Sequence, residues 1–221
     1  MSAWRLRTCG IIAGVSLTLA LSACGGGQTQ ASSEPSGHYT VNVSTAKFPA
    51  SQRLAQHTHL VIAVHNTGNK TIPDVAVTIC NVTCGYPAPK GQGSSSQAFG
   101  ANIGQRYLAN PSRPLWIIDR APGVCGYSCQ NGGQGAAVTA YANTWALGKL
   151  APGKTARFDW AVTAVKPGKH VVAWQVAAGL NGKAKAILSN GSAPKGTFAV
   201  KVDTAPAQSY VNNNGQIVTS Q

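Results

Sequence analysis

The sequence predicts an all-β sandwich of seven to nine short strands, interrupted by one long cysteine-bounded insertion. Three observations predict it. Apolar residues alternate with polar ones at period two in segment after segment, turn residues separate those segments, and no stretch beyond the N-terminal region sustains the i, i+3, i+4, i+7 spacing of a helix.

Ahead of the first strand lies every part of an export signal. Arg5 and Arg7 form a basic start, Ile11 to Leu21 is an apolar run broken only by small or hydroxyl residues, and Leu21-Ser22-Ala23-Cys24 is a lipobox. The run is about a dozen residues, short of the ~20 needed to span a bilayer. Cleavage before Cys24 is expected, with residues 1–23 as the leader and Cys24 carrying the lipid. Two or three acyl chains, at roughly 0.8 kcal/mol per buried methylene, hold a domain stably on a membrane where one does not. The absence of an Arg-Arg pair favours export of an unfolded chain. Residues 24–37 then read as the lipidated cysteine and a flexible tether of Gly, Gln, Ser, Thr and Ala, with a typical reach near 20 Å by about 5–6 Å × √n. The expected location is the outer face of the cytoplasmic membrane.

The domain itself is assigned to residues 38–205. Tyr39, Val41 and Val43 alternate first. Leu60, Ile62 and Val64 follow, then a turn at Asn66-Thr67-Gly68-Asn69, then Val75, Val77 and Ile79, which together predict a hairpin with one buried face. Later strands are expected at Val138 to Leu147, at Ala156, Phe158, Trp160 and Val162, at Val172, Trp174 and Val176, at Ala184 to Leu188, and at Phe198, Val200 and Val202. Pro152-Gly153 and Pro167-Gly168 bracket one of them. This strand count makes the sandwich immunoglobulin-like, with Trp160 and Trp174 as core aromatics. Residues 206–221 form a polar C-terminal tail.

Leu60 to Gly68 (LVIAVHNTG), Thr71 to Thr78 (TIPDVAVT), and Leu150-Ala-Pro-Gly153 ahead of Phe158-Asp-Trp160 resemble the CARDB-type cell-adhesion-related domain of bacteria. The likeness covers about residues 55–80 and 145–203 and implies an immunoglobulin-like fold without implying site residues. The whole chain is also similar to lipoproteins of high-GC Gram-positive bacteria.

Residues 80–135 form the insertion, bounded by Cys80-Asn-Val-Thr-Cys84 and Cys125-Gly-Tyr-Ser-Cys129. In an oxidising compartment Cys80, Cys84, Cys125 and Cys129 are expected to form two disulfides, for which three pairings exist. Four-thiolate zinc and a redox pair are the lesser alternatives, since both favour C-x-x-C spacing. Closing a loop of this length would contribute roughly 3–4 kcal/mol. Within it, Tyr86, Phe99, Tyr107, Trp116 and Tyr127 interleave with Arg106, Arg113 and Arg120. Two readings stay open: a recognition surface, because aromatic and Arg residues dominate binding hot spots, or a core strand at Trp116-Ile117-Ile118 with a small satellite core.

Charge and composition narrow the function. Loss of Arg5 and Arg7 lowers the 18 basic residues to 16 against five acids, a formal charge of +11. The cations are scattered singly rather than in runs, which points away from nucleic acid and toward anionic phospholipid headgroups, acidic wall polymers or an envelope protein. Five acids, Glu34 among them in the tether, argue against a glycosidase or a calcium site. No Gly-x-Ser-x-Gly elbow occurs, and Gly132-Gly133-Gln134-Gly135 has no strand before it or helix after it to make a phosphate cradle. His57, His59 and His65 share the outward parity of one strand. They read as solvated, with zinc or copper ligation as the weaker alternative, since no Cys, Met or acid lies in the stripe. The expectation is a non-enzymatic, lipid-anchored binding, adhesion or scaffold module without cofactors. A small-ligand or metal-binding lipoprotein is the alternative, and an envelope hydrolase comes last.

Overall fold

Period-two alternation puts Leu60, Ile62 and Val64 of β3 (His57–Asn66) on one face, all three with no exposed surface. In β8 (Thr155–Ala164) the same pattern buries Phe158, Trp160 and Val162. The computed structural model describes residues 33–84, 98–101, 114–123 and 143–219.

The larger sheet runs, edge to edge, β10 (Ala184–Ile187), β1 (Gly37–Lys47), β3, β8, β6 (Trp116–Arg120) and β5 (Phe99–Ala101). The second runs β2 (Ser51–Leu54), β11 (Lys195–Pro206), β9 (Gly168–Ala177), β4 (Ala76–Asn81) and β7 (Thr144–Ala146). Their inward faces share one core, so the architecture is an all-β, immunoglobulin-like sandwich. Trp160 and Trp174 are core aromatics as expected, at 0% and 8% exposure. Trp160 stacks on Phe158 and meets Trp145 of the other sheet edge to face, with centroids 5.8 and 5.5 Å away.

Three expectations are corrected, and one open reading is resolved. The predicted hairpin does not form: β3 pairs with β1 and β8, whereas β4 pairs with β9 and β7 in the opposite sheet. The chain crosses between sheets because Ile72 drops into the core with no exposed surface and bridges to Leu150. Pro73, which lacks an N–H, follows it. Inward faces of β3 and β4 therefore look at each other across the core, which satisfies the same alternation as a hairpin would.

Of the two open readings of the insertion, the core strand at Trp116-Ile117-Ile118 is the one found. β5 and β6 extend the larger sheet, β6 pairing with β8, and Phe99 and Trp116 are buried at 1% and 0% exposure. Trp116 is thus a core residue and not a binding one. Its indole donates to Gln52 Oε1 at 2.7 Å, which explains how a polar glutamine comes to be 1% exposed.

Glu34, placed in the tether by composition, is 7% exposed and locked to the domain. The tail is structured too. β11 runs to Pro206, and β12 (Ser209–Val211) pairs with β13 (Ile217–Thr219) in a hairpin closed by Asn212 and Gly215. That hairpin leaves Tyr210, Val211 and Ile217 at least 60% exposed.

Candidate functional site

Register defines two ends. Gly37 lies opposite Ala184, Val41 opposite Asn66 and Ala76 opposite Ala177, so the starts of β1 and β4, the ends of β3 and β9 and the loop before β8 share a proximal end where the chain enters. His57 opposite Thr163, Trp116 opposite Ala164 and Asn81 opposite Val172 mark the distal end.

At the proximal end two polar side chains organise the loops. The Glu34 carboxylate accepts from Asn181 N at 2.6 Å and Ala184 N at 2.5 Å, and Gly37 N donates to Lys183 O, so the incoming chain is fastened to the β9–β10 loop before β1 begins. Asn66, with no exposed surface, ties three further segments together. Its Nδ2 donates to Lys70 O and to Leu150 O, both at 2.9 Å, and its backbone N donates to Lys154 O at 2.9 Å. Its Oδ1 accepts from Gly68 N, and its carbonyl from Gly153 N. Gly153 sits at φ +70°, which suits glycine in this turn. Neither hub was visible in the sequence, where Asn66 announced only a turn and Glu34 only a polar linker.

Asp74 stands beside them, accepting from Gly148 N at 2.9 Å. Burial pushes its carboxyl above the usual value, the Gly148 hydrogen bond pulls the other way, and the neighbouring Glu34 charge adds to the rise. The folded state therefore favours the protonated form. Its contribution to stability is complete below the unfolded carboxyl value of about 4 and is lost as pH rises through the folded one. Asp74→Asn keeps an acceptor for Gly148 and removes the charge. It is expected to melt above wild type at pH ~7, with the gap closing as the buffer is taken below pH ~4. An equal gap at both pH values would contradict the assignment.

On the outer face of the larger sheet, His57, His59 and His65 project as their parity requires. Acids and hydroxyls from neighbouring strands do meet them. His57 Nδ1 lies 3.1 Å from Asp119 Oδ2 and 2.9 Å from Thr163 Oγ1, His59 Nδ1 lies 2.7 Å from Asp159 Oδ1, and His65 Nδ1 lies 3.0 Å from Thr155 Oγ1. Arg157 reaches Asp159 at 3.5 Å. These pairs are solvent-facing, with the His57 side chain 79% exposed, and such ion pairs are worth little. Among the described residues no group of three or more His, Cys, Asp or Glu is arranged to hold a metal ion.

The distal end carries the disulfide. Cys80 bonds Cys84, across a separation of four residues. This half of the cysteine set therefore closes a small local loop and does not staple the insertion. By chain entropy a loop this short contributes about 2 kcal/mol, less than a long one. Val82 inside it has φ 65°, and its N–H donates to Val171 O, which pins the small loop to β9. Arg120 is exposed at the end of β6. Cys24, Tyr86, Arg106, Tyr107, Arg113, Cys125, Tyr127 and Cys129 lie outside the described residues, as does the 138–142 part of the predicted strand ending at Leu147.

No protein-family model matches the chain, and no curated protein matches it. Among solved structures, it is similar to a Salmonella alpha-2-macroglobulin at 13% identity and a TM-score of 0.36, covering 77% of this chain. The chain spans only about 7% of that protein's length. It is also similar to the CARDB domain of a Pyrococcus furiosus protein solved with di-metal ions, at 13% identity and a TM-score of 0.37, over 75% of this chain and 92% of that one. A PapD-like domain of human CEP192 is similar at 13% identity and a TM-score of 0.34, over 86% and 99%. These likenesses concern fold alone and transfer no residue roles.

Proposed function

We propose that the chain is a lipid-anchored, extracytoplasmic binding or scaffold module with no catalytic chemistry of its own, which presents its cysteine-bounded segment away from the membrane. One observation carries this reading: the described chain enters at the proximal end, through Glu34 and Gly37, and the Cys80–Cys84 disulfide that opens the cysteine-bounded segment lies at the opposite, distal end. Support also comes from the lipobox at Leu21-Ser22-Ala23-Cys24. Ten residue steps separate Cys24 from Glu34, so the sandwich stays within about 35 Å of a lipidated Cys24. Among the described residues the histidine–carboxylate pairs are solvent-exposed, which fits a binding surface.

The test has two parts. Intact mass of the protein from producing cells is expected to show a chain beginning at an acylated Cys24; a retained leader with unmodified Cys24 would overturn the anchor. Cross-linking on living cells is expected to capture an envelope partner that is lost when Arg106, Arg113 and Arg120 are replaced by Ala. Capture indifferent to those changes would overturn the distal segment as the binding surface.

A further inference from the structure

Asn66 does more than hold a turn. The three backbone carbonyls it binds belong to Lys70, Leu150 and Lys154, so it gathers onto one end of the sandwich three loop positions that carry exposed lysines, Lys70, Lys149 and Lys154. None of the three takes part in an ion pair among the described residues. The acids of this end are otherwise occupied: Glu34 faces the Asn181 and Ala184 amides, and Asp74 faces the Gly148 amide. A buried hub thus holds the backbone at Lys70, beside Lys149 and at Lys154 together, with all three side chains exposed.

We infer that Lys70, Lys149 and Lys154 form a cationic footing that seats the sandwich, proximal end down, on anionic phospholipid headgroups. Total charge alone does not select this end, because Lys166 and Lys169 are exposed at the other. The gathering of three lysine-bearing loop segments by Asn66 selects it, and the attachment point acts in the same direction. The inference rests on the lipid-anchored reading, under which the acyl chains and the three lysines leave the domain on the same side. Screening limits the attraction to about 8 Å in physiological salt, so only cations grouped on the face that meets the surface contribute. Each lysine at the headgroups strengthens binding about fivefold. The footing would hold β1 upright and point the Cys80–Cys84 end outward, where without it a single tether would let the domain tumble.

The mature chain from residue 24, carrying Cys24→Ser so that no lipid contributes, is mixed with phosphatidylcholine vesicles with and without phosphatidylglycerol, and bound protein is read by co-sedimentation. Binding is expected only with phosphatidylglycerol, weakened on the order of a hundredfold by K70Q/K149Q/K154Q. It is expected to change less than about threefold in K47Q/K166Q/K169Q, which removes equal charge elsewhere. Equal weakening by both triple variants, or no preference for phosphatidylglycerol, would overturn the footing. All six lysines are exposed, and matching thermal melts check that each variant folds. The intact mass of cell-derived protein separates the two claims: an acylated Cys24 with no vesicle preference leaves the anchor and removes the footing, while unacylated Cys24 with the expected vesicle pattern removes the anchor and leaves a lipid-binding face.

Discussion

Asn66→Ala is expected to lower the unfolding free energy by about 3 kcal/mol, because a fully buried amide that makes three side-chain hydrogen bonds disappears at once. Each bond contributes about 1 kcal/mol net, and the cost rises where a partner is left dry. Lys70 O loses its Asn66 side-chain partner, whereas Gly68 N keeps Thr40 O and Leu150 O keeps Ile72 N, so the loop before Ile72 suffers most. For a domain of this size the shift in Tm should be about 6–12 °C in a reversible melt. Asn66→Asp discriminates the mechanism. Its carboxylate could still accept from Gly68 N but would face the Lys70 and Leu150 carbonyls without a donor, so Asp should be no better than Ala. An Asp variant as stable as wild type would show that the two donated bonds matter little. Amide exchange should report the same thing locally, with Gly68 losing protection ahead of core amides such as that of Ile62.

What was legible in the chain follows from what alternation encodes. Parity alone placed Leu60, Ile62 and Val64 inward and the three histidines outward, and both assignments stand. Pairing is a different quantity. A strand with one apolar face satisfies its neighbours equally well as half of a hairpin or as the opposite wall of a sandwich, so Asn66-Thr67-Gly68 could announce a turn without saying into which sheet the chain would go. The decision was made by Ile72, an apolar residue in what composition treats as a loop, and by its bridge to Leu150, far along the chain. The histidine partners were hidden for the same reason. Asp119 and Asp159 come from β6 and β8 and meet β3 only through register. Trp116 stayed ambiguous, since an aromatic beside arginines fits a hot spot and a core strand alike, and only the partner strand β8 and the Gln52 acceptor settle its place.

Glu34 provides the second large effect, and it reaches the point where the chain joins the domain. Glu34→Ala is expected to cost about 2–4 kcal/mol, since two charge-assisted bonds to backbone amides vanish and the buried Ala184 N–H is left in a largely dry site. Gly179 tests this by geometry. A Cβ there would fall inside the Glu34 carboxyl group, while the glycine's own φ lies outside the left-handed region and suits alanine. Gly179→Ala should therefore destabilise only by evicting Glu34, and by a similar amount. The two effects must then fail to add: with Glu34 already alanine, the second substitution should cost less than about 0.5 kcal/mol, giving a coupling of about 2 kcal/mol in the double-mutant cycle. Strict additivity would mean that Gly179 is required for a reason other than the carboxylate. Loss of the clasp should also free the chain between Cys24 and Gly37, lengthening the leash on a lipidated protein by some three residues, about 10 Å when extended. On phosphatidylglycerol vesicles the lipid-free Glu34→Ala chain should bind at least as well as wild type at a temperature where both are folded, because the substitution removes a negative charge from the proximal end and leaves Lys70, Lys149 and Lys154 in place. A drop in that binding would mean that the clasp itself orients the lysines.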